Sequence, residues 1–334
     1  MREQLAEAVE KESLVKIALQ LPDPFPNTLM ERRRGRLLNQ LAYEFERIGE
    51  QDIALQLYKQ TNLTPSRERQ IRLLEKFGDC MEAWLLLTEM LAKPANEHEL
   101  QIAERMAPRL AKKVGIKMER SRSAVFIEES LSLVQLQNKS GEFLKVEEIV
   151  RRHFHSESAP CLYAENELIN GLFGLWLWPE MFSDTDGAFA NPFQTAPLDL
   201  YQEAFQENRP GLPELWKLFD NDTHHTHINN IWKQKNGIAN QFVSWHFIDE
   251  PILNLALQCI DKEHLKRIFQ RLLFDLKANR SGLPDLIQFF PETNTYRMIE
   301  VKGPGDRIQD NQQRWLDFFS KNNIPAEVCY VSWE

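Results

Sequence analysis

A chain of 334 residues suffices for two or three domains, and 43% hydrophobic against 27% charged residues is the balance of a globular protein with a sizeable core. No apolar run approaches the ~20 residues of a bilayer span, and the charged start MREQLAEAVEKES lacks the apolar stretch of a secretory signal. Four scattered cysteines fit neither a disulfide framework nor a zinc pattern, so a cytoplasmic home is expected, and the net charge of −9 argues against nucleic acid only as a sum, since binding follows local charge.

Residues 1–115 read as helices joined by short turns. In LLNQLAYEFERIGEQDIALQLYKQ, apolar residues recur at three and four (Leu38, Leu41, Ala42, Phe45), Gly49 breaks the run, and Ile53, Ala54, Leu57 and Tyr58 line a second helix. Gly78, Ala83 and Leu87 then stand where Gly49, Ala54 and Tyr58 stood. A helix pair returning near a period of ~34 residues resembles a tetratricopeptide array, the alternative being a generic helical bundle.

Residues 116–160 form an expected connecting segment. SAVFIEESLSLVQL has the β-branched content of short strands, and Gly141–His155 reads as a helix. Residues 161–334 form the last expected domain. Leu162–Trp178 reads as a helix, and Asp184–Thr226, with Pro192, Pro197, Pro210 and Pro213, as loop. LPDLIQFF and YRMIEVKG are two strands around the turn PETN, followed by a helix over Gln309–Lys321 and a final strand AEVCYVSW. The fold class expected is therefore α+β, mostly helical, with a mixed α/β core at the C-terminal end.

Chemistry concentrates on that hairpin. Phosphodiester hydrolysis uses a divalent metal to offset charge on the phosphate and to make hydroxide near neutral pH, and hard cations accept two or three carboxylates plus water. Asp285 begins one strand and Glu300 ends its neighbour, so a tight hairpin brings them together. Alternation puts Glu300 and Lys302 on one face, with Ile299 and Val301 on the other. Gln312, with Trp315, Leu316 and Phe319 at +3, +4 and +7, shares the apolar stripe of its helix. Glu165 has Leu168, Ile169 and Leu172 at the same spacings and is expected to point inward from a first helical turn. Exposed charges at a strand end, or an ordinary acid at a helix start, are the plainer reading of the same residues.

The string GLPDLIQFF…YRMIEVKGPGDRIQDNQQRWLDFF…AEVCYV resembles the virus-type replication-repair (VRR) nuclease module of the PD-(D/E)xK superfamily. With GAFANPFQTAPLDLY and AENELINGLFGLWLW before it, it resembles more narrowly the Fanconi-associated nucleases, including bacterial ones. That resemblance implies a restriction-endonuclease-like core and a phosphodiesterase I type enzyme. Such an enzyme cuts structured DNA such as 5′ flaps, digests 5′-to-3′, uses Mg²⁺ or Mn²⁺ and serves DNA repair, interstrand crosslinks included. Residues carried over are Glu165, Asp285, Glu300, Lys302 and Gln312, with Asp306 beside Arg307 after the GP turn. The expected metal set is Glu165, Asp285, Glu300 and Val301. DNA is the implied partner, with further repair proteins, and no membrane. Family members usually carry a further N-terminal DNA-binding region, whereas this sequence starts almost inside the helical repeats.

Clusters of basic residues mark the expected DNA path: Arg32, Arg33, Arg34 and Arg36; Lys112, Lys113, Lys117, Arg120 and Arg122 within Ile102–Arg122; and Lys262–Arg280, ending on Arg280. The acidic Asp184–Asp222 stretch is expected off that path. His224, His225 and His227 read as loop histidines facing solvent rather than a zinc site, and the tryptophans as core. An interaction scaffold with a vestigial nuclease core, or an RNA-directed or restriction-type nuclease, are the competing functions.

Overall fold

The computed structural model describes residues 11–118, 127–202 and 204–334. They fall into two compact units, with the division between residues 118 and 127.

The first unit is helical: α1 Lys11–Leu19, α2 Thr28–Arg47, α3 Gln51–Tyr58, α4 Ser66–Phe77, α5 Cys80–Ala92 and α6 Glu97–Val114. Local signals set the ends. The Asn27 and Asn96 side chains accept from the backbone N–H of Met30 and Glu99, satisfying orphan donors at the starts of α2 and α6. Gly78 and Gly115 end α4 and α6 in the left-handed conformation that side chains avoid. Leu38, Leu41, Phe45, Ala54 and Tyr58 are buried in one cluster, and Ile71, Leu74, Ala83, Leu87 and Met106 in another. Ala54 and Ala83 thus occupy corresponding buried places, as do Tyr58 and Leu87. These pairs, like Gly49 and Gly78, lie 29 positions apart in sequence, short of the ~34 of a tetratricopeptide repeat.

In the second unit the elements are β1 Ile127–Leu133, α7 Val146–Phe154, β2 Cys161–Tyr163, α8 Leu168–Met181, α9 Leu212–Asp220, α10 His224–Lys235, α11 Glu250–Cys259, α12 Lys262–Phe274, α13 Leu276–Asn279, β3 Leu286–Phe290, β4 Thr295–Lys302, α14 Asp310–Lys321 and β5 Ala326–Trp333. One mixed sheet runs β1-β5-β4-β3-β2, with β5 parallel to both neighbours and β2, β3 and β4 antiparallel in turn. Alternation gives it two buried faces. Ile287, Phe289, Tyr296 and Met298 pack with Trp315 and Phe319 of α14; Leu286, Ile299, Val301 and Cys329 pack with Val150 of α7. The segment expected to connect the domains, with short strands and a helix, supplies an edge strand and a covering helix.

Between β2 and β3 stands a helical insert built around α8. Its residues from Leu168 to Trp178 are all buried, as befits a helix that is apolar all round. Gly174 is required by this packing: a Cβ there would lie 2.7 Å from Phe242 Cβ and 3.0 Å from Val243 Cγ2.

Three expected boundaries shift. The 141–155 helix starts at Val146, because Asn138 accepts from the N–H groups of Ser140 and Glu142 and folds that stretch into a turn. The 162–178 helix is a strand, a turn and then α8. The loop-rich 184–226 stretch contains α9, whose first turn carries Pro213 where its missing N–H costs nothing.

The three histidines open α10 rather than a loop. His224 is buried and stacks on Phe219, and His227 Nε2 meets the Trp176 carbonyl at 3.0 Å.

Two measurements test this packing. Gly174→Val should lower unfolding stability by about 2 kcal/mol through overpacking, read by denaturant titration. Burial pushes His224 down from 6.5 to about 4, so it folds neutral. Its contribution is present above pH 6.5 and lost as pH falls towards 4, when the unfolded chain takes up the proton first. His224→Phe should flatten the fall in melting temperature over that window.

Candidate active site

The site is made where three strands end together. Leu286 pairs with Ile299, so Asp285, one step before β3, stands opposite Glu300 on β4. On its other side, Tyr163 pairs with Leu286 and the Ala164 N–H reaches the Asp285 carbonyl at 2.9 Å. Glu165 follows in the turn before α8, where Asn166 takes φ 54°. Glu165 is therefore held by a turn and not by a first helical turn.

Asp285, Glu300 and Lys302 are 8%, 1% and 6% exposed, so three ionisable groups lie out of water at one sheet end. Lys302 Nζ donates to Glu300 Oε1 at 2.6 Å and to Gln312 Oε1 at 3.0 Å. The same Gln312 oxygen accepts from the Gln309 N–H at 2.9 Å, closing the capping box that starts α14. Asp285 Oδ2 accepts from the Val301 N–H at 2.8 Å. Glu165 accepts from the Tyr163 hydroxyl at 2.6 Å and from Asn166 Nδ2 at 3.1 Å. Glu300 Oε2 is buried and has no hydrogen-bond partner among the described residues.

Burial raises the Asp285 carboxyl to about 6, with the Glu165 and Glu147 charges adding to the rise and the Val301 N–H and Lys302 opposing it. Burial again, then the facing Asp285, pushes Glu300 to about 8 against the pull of Lys302. Tyr163 is raised by burial and by its bond to Glu165.

Sequence reasoning missed Glu147, on the first turn of α7, whose charge reaches both Asp285 and Tyr163. No motif marks it, and only the packing of α7 on the sheet brings it near.

Among the described residues no three His, Cys, Asp or Glu groups are close enough to grip an ion as they stand. The expected convergence of Glu165, Asp285 and Glu300 is thus not preassembled, because each carboxylate is turned to a donor of the protein. Val301 has an apolar side chain and offers a cation only its backbone oxygen. The donor set nevertheless fits a hard divalent cation: all oxygens, a surplus of negative charge, and an orphaned buried oxygen on Glu300.

The basic candidates diverge. Arg34 is buried and bound to the Pro22 carbonyl, Glu31 and Gln60, so it holds the first unit together and is withdrawn from phosphate. Arg33 and Arg36 are exposed, and Arg32 is half-buried. Lys112, Lys113 and Lys117 are exposed, Lys113 pairing with Glu75 at 2.9 Å. Arg120 and Arg122 lie outside the described residues. Arg280 is exposed, lies over the Tyr201 ring and donates to its hydroxyl. Asp306 Oδ2 accepts from the Gly303 N–H and closes the GP turn, leaving Arg307 exposed beside it. The acidic stretch is not apart from the basic one: Asp220 pairs with Lys266 and Asp222 with Lys262, each at 2.6 Å, so those lysines are already matched.

Crowded carboxylates oppose folding when no cation is present. In a chelator, Asp285→Asn, which keeps an acceptor for the Val301 N–H, should melt at or above the wild-type temperature; a clear fall by calorimetry would contradict this picture of the charges.

Residues 219–333 match the VRR-NUC domain family. The chain is 39% identical over 325 residues to a Fanconi-associated nuclease 1 homolog of Pseudomonas aeruginosa, covering 96% of this chain and 57% of that protein. Fanconi-associated nuclease 1 of Danio rerio is 31% identical over 194 residues, 56% of this chain and 20% of that one. A solved structure of paFAN1 bound to 2nt 5′ flap DNA with gap superposes with a TM-score of 0.68 at 38% identity, over 100% of this chain and 60% of that one. This chain spans just over half the length of the Pseudomonas relative. Glu147 and Glu165 lie before the matched VRR-NUC residues, on elements that complete the same sheet end. Along almost its whole length the chain is thus similar to a Fanconi-associated nuclease 1 homolog, and Asp285, Glu300 and Lys302 lie within the residues that match the VRR-NUC domain.

Proposed function

We propose that this protein is a divalent-cation-dependent DNA nuclease of the phosphodiesterase I type, using Mg²⁺ or Mn²⁺ and acting in DNA repair. The observation that carries the reading is the buried Lys302 ammonium, fixed between Glu300 and Gln312 at the sheet end where Asp285 faces Glu300. A structural ion pair alone would leave no reason for a second, unpaired glutamate oxygen in the same place.

Asp285, Glu300 and Glu165 would hold the cation, with the Val301 carbonyl. A divalent cation in such a site neutralises charge on the phosphate and lowers the pKa of water. Lys302 supplies a fixed positive charge beside the phosphate oxygens, where charge grows as the new bond forms, and its position costs no reorganisation because Gln312 already holds it. Gln312 thereby ties the start of α14 to the site. Exposed Arg280 and Arg307 on the second unit would take DNA phosphates, and exposed Arg33, Arg36, Lys112 and Lys117 on the first unit are separate candidates for the same role. Structured DNA such as a 5′ flap is the proposed substrate, in line with the flap DNA held by the solved relative. Action 5′-to-3′ on ends and a part in interstrand crosslink repair belong to the same proposal. Among the described residues no helix is long and apolar enough to cross a membrane.

Purified protein with labelled flap, nicked and single-stranded DNAs should cut with Mn²⁺ and stop with EDTA. Asp285→Ala, Glu300→Gln and Lys302→Ala should each lose on the order of 10³-fold or more in rate while still retarding DNA on gels. Near-normal turnover of any of them would remove the assignment.

A further inference from the structure

A polar cavity opens beside the turn that carries Glu165. About 320 Å³ of space lies between Asn166, Asn170, Gln241, Phe242, Arg280 and Ser281. Asn166 follows Glu165 directly and Ser281 stands four residues before Asp285, so the cavity adjoins the candidate active site. Asn170, 6% exposed, donates through Nδ2 to the Asn166 carbonyl at 2.7 Å and to the Arg280 carbonyl at 2.8 Å. Those two bonds use both amide hydrogens and fix the sense of the group. Its Oδ1 is buried and has no hydrogen-bond partner among the described residues. Asn166 repeats the pattern: Nδ2 donates to Glu165 at 3.1 Å, while Oδ1 is buried and unmatched among the described residues.

A buried acceptor left unmet is costly, and the plain remedy is a bound water, which answers one such oxygen. Two unmet acceptors in a cavity several times the size of a water call for a larger donor. A phosphate does not fit them, since it would bring acceptors to acceptors. A lone ammonium would meet the like charge of Arg280. A nucleobase with an exocyclic amine meets both conditions: it is uncharged, it donates, and it offers a flat face to Phe242.

We propose that this cavity receives the base of a nucleotide next to the cut, with Asn170 Oδ1 accepting from its exocyclic amine. Adenine, cytosine and guanine carry such an amine and thymine does not, so Asn170 sets specificity and takes no part in the chemical step. This rests on the nuclease reading of Asp285, Glu300 and Lys302.

Flap DNAs that differ at one nucleotide test it, adenine against purine and cytosine against pyrimidin-2-one, each pair differing by the amine alone. The exchange is made in turn at the nucleotides on either side of the cut, and kcat/KM is read with Mn²⁺. At one position, loss of the amine should slow cutting about fivefold or more. Removing an amine also weakens pairing, which eases withdrawal of a base from a duplex, so slowing reports the cavity. In Asn170→Ala the adenine-to-purine ratio should fall to near one, whatever the overall rate of the variant. Ratios near one at every position in wild type would overturn the proposal and spare the nuclease; that comparison needs no variant, so it decides even where Asn170→Ala fails to fold. A ratio that persists in Asn170→Ala would overturn it equally. Failure of wild type to cut any of these DNAs with Mn²⁺ would overturn both readings.

Discussion

The Lys302 ammonium, held at 2.6 Å from Glu300 and 3.0 Å from Gln312, ties the end of β4 to the start of α14. Burying Glu300 would be costly without it, since a lone buried carboxylate has neither solvent nor counter-charge. The strand that carries both residues is pinned on one side by Asp285, through the Val301 N–H, and on the other by its parallel pairing with β5. Gln312 spends one oxygen on the ammonium and on the cap of α14, so the helix cannot start elsewhere without releasing the lysine. Pairing the ammonium still leaves Asp285 and Glu300 raised, to about 6 and 8, and one glutamate oxygen orphaned. Such residual strain at a functional site is where a protein departs from its own stability rules.

Much of this was legible before the fold. Period-two alternation in YRMIEVKG placed Glu300 and Lys302 on one face, and PETN set the turn, because a tight hairpin leaves its register little freedom. The +3, +4, +7 stripe brought Gln312 to the sheet. The final strand ran over Ala326–Trp333 as the pattern indicated. Glu165 was assigned to the right neighbourhood by the wrong element: a left-handed Asn166 inserts a turn that helical periodicity cannot register.

The rest was hidden for physical reasons. Glu147 is brought to Asp285 by the packing of α7 on the sheet, across more than a hundred intervening residues, and carries no local signature. Arg34 looked like its neighbours Arg33 and Arg36, yet helical rotation turns it inward to the Pro22 carbonyl. Charge runs behaved similarly: Lys262 and Lys266 belong to a basic stretch in sequence and to Asp222 and Asp220 in space. A linear count of charges sees composition, whereas phosphate contacts depend on which of those charges remain unpaired on the surface.

The central claim is that the sheet end bearing Asp285, Glu300 and Lys302 takes up a divalent cation. Crystals soaked in Mn²⁺ and measured at the manganese absorption edge test it most directly. An anomalous peak between the Asp285 and Glu300 carboxylates, with Glu165 turned from Tyr163 towards it and Lys302 alongside, is the predicted result. A clean map at that position under saturating Mn²⁺, with the Lys302–Glu300 pair unchanged, would contradict the account.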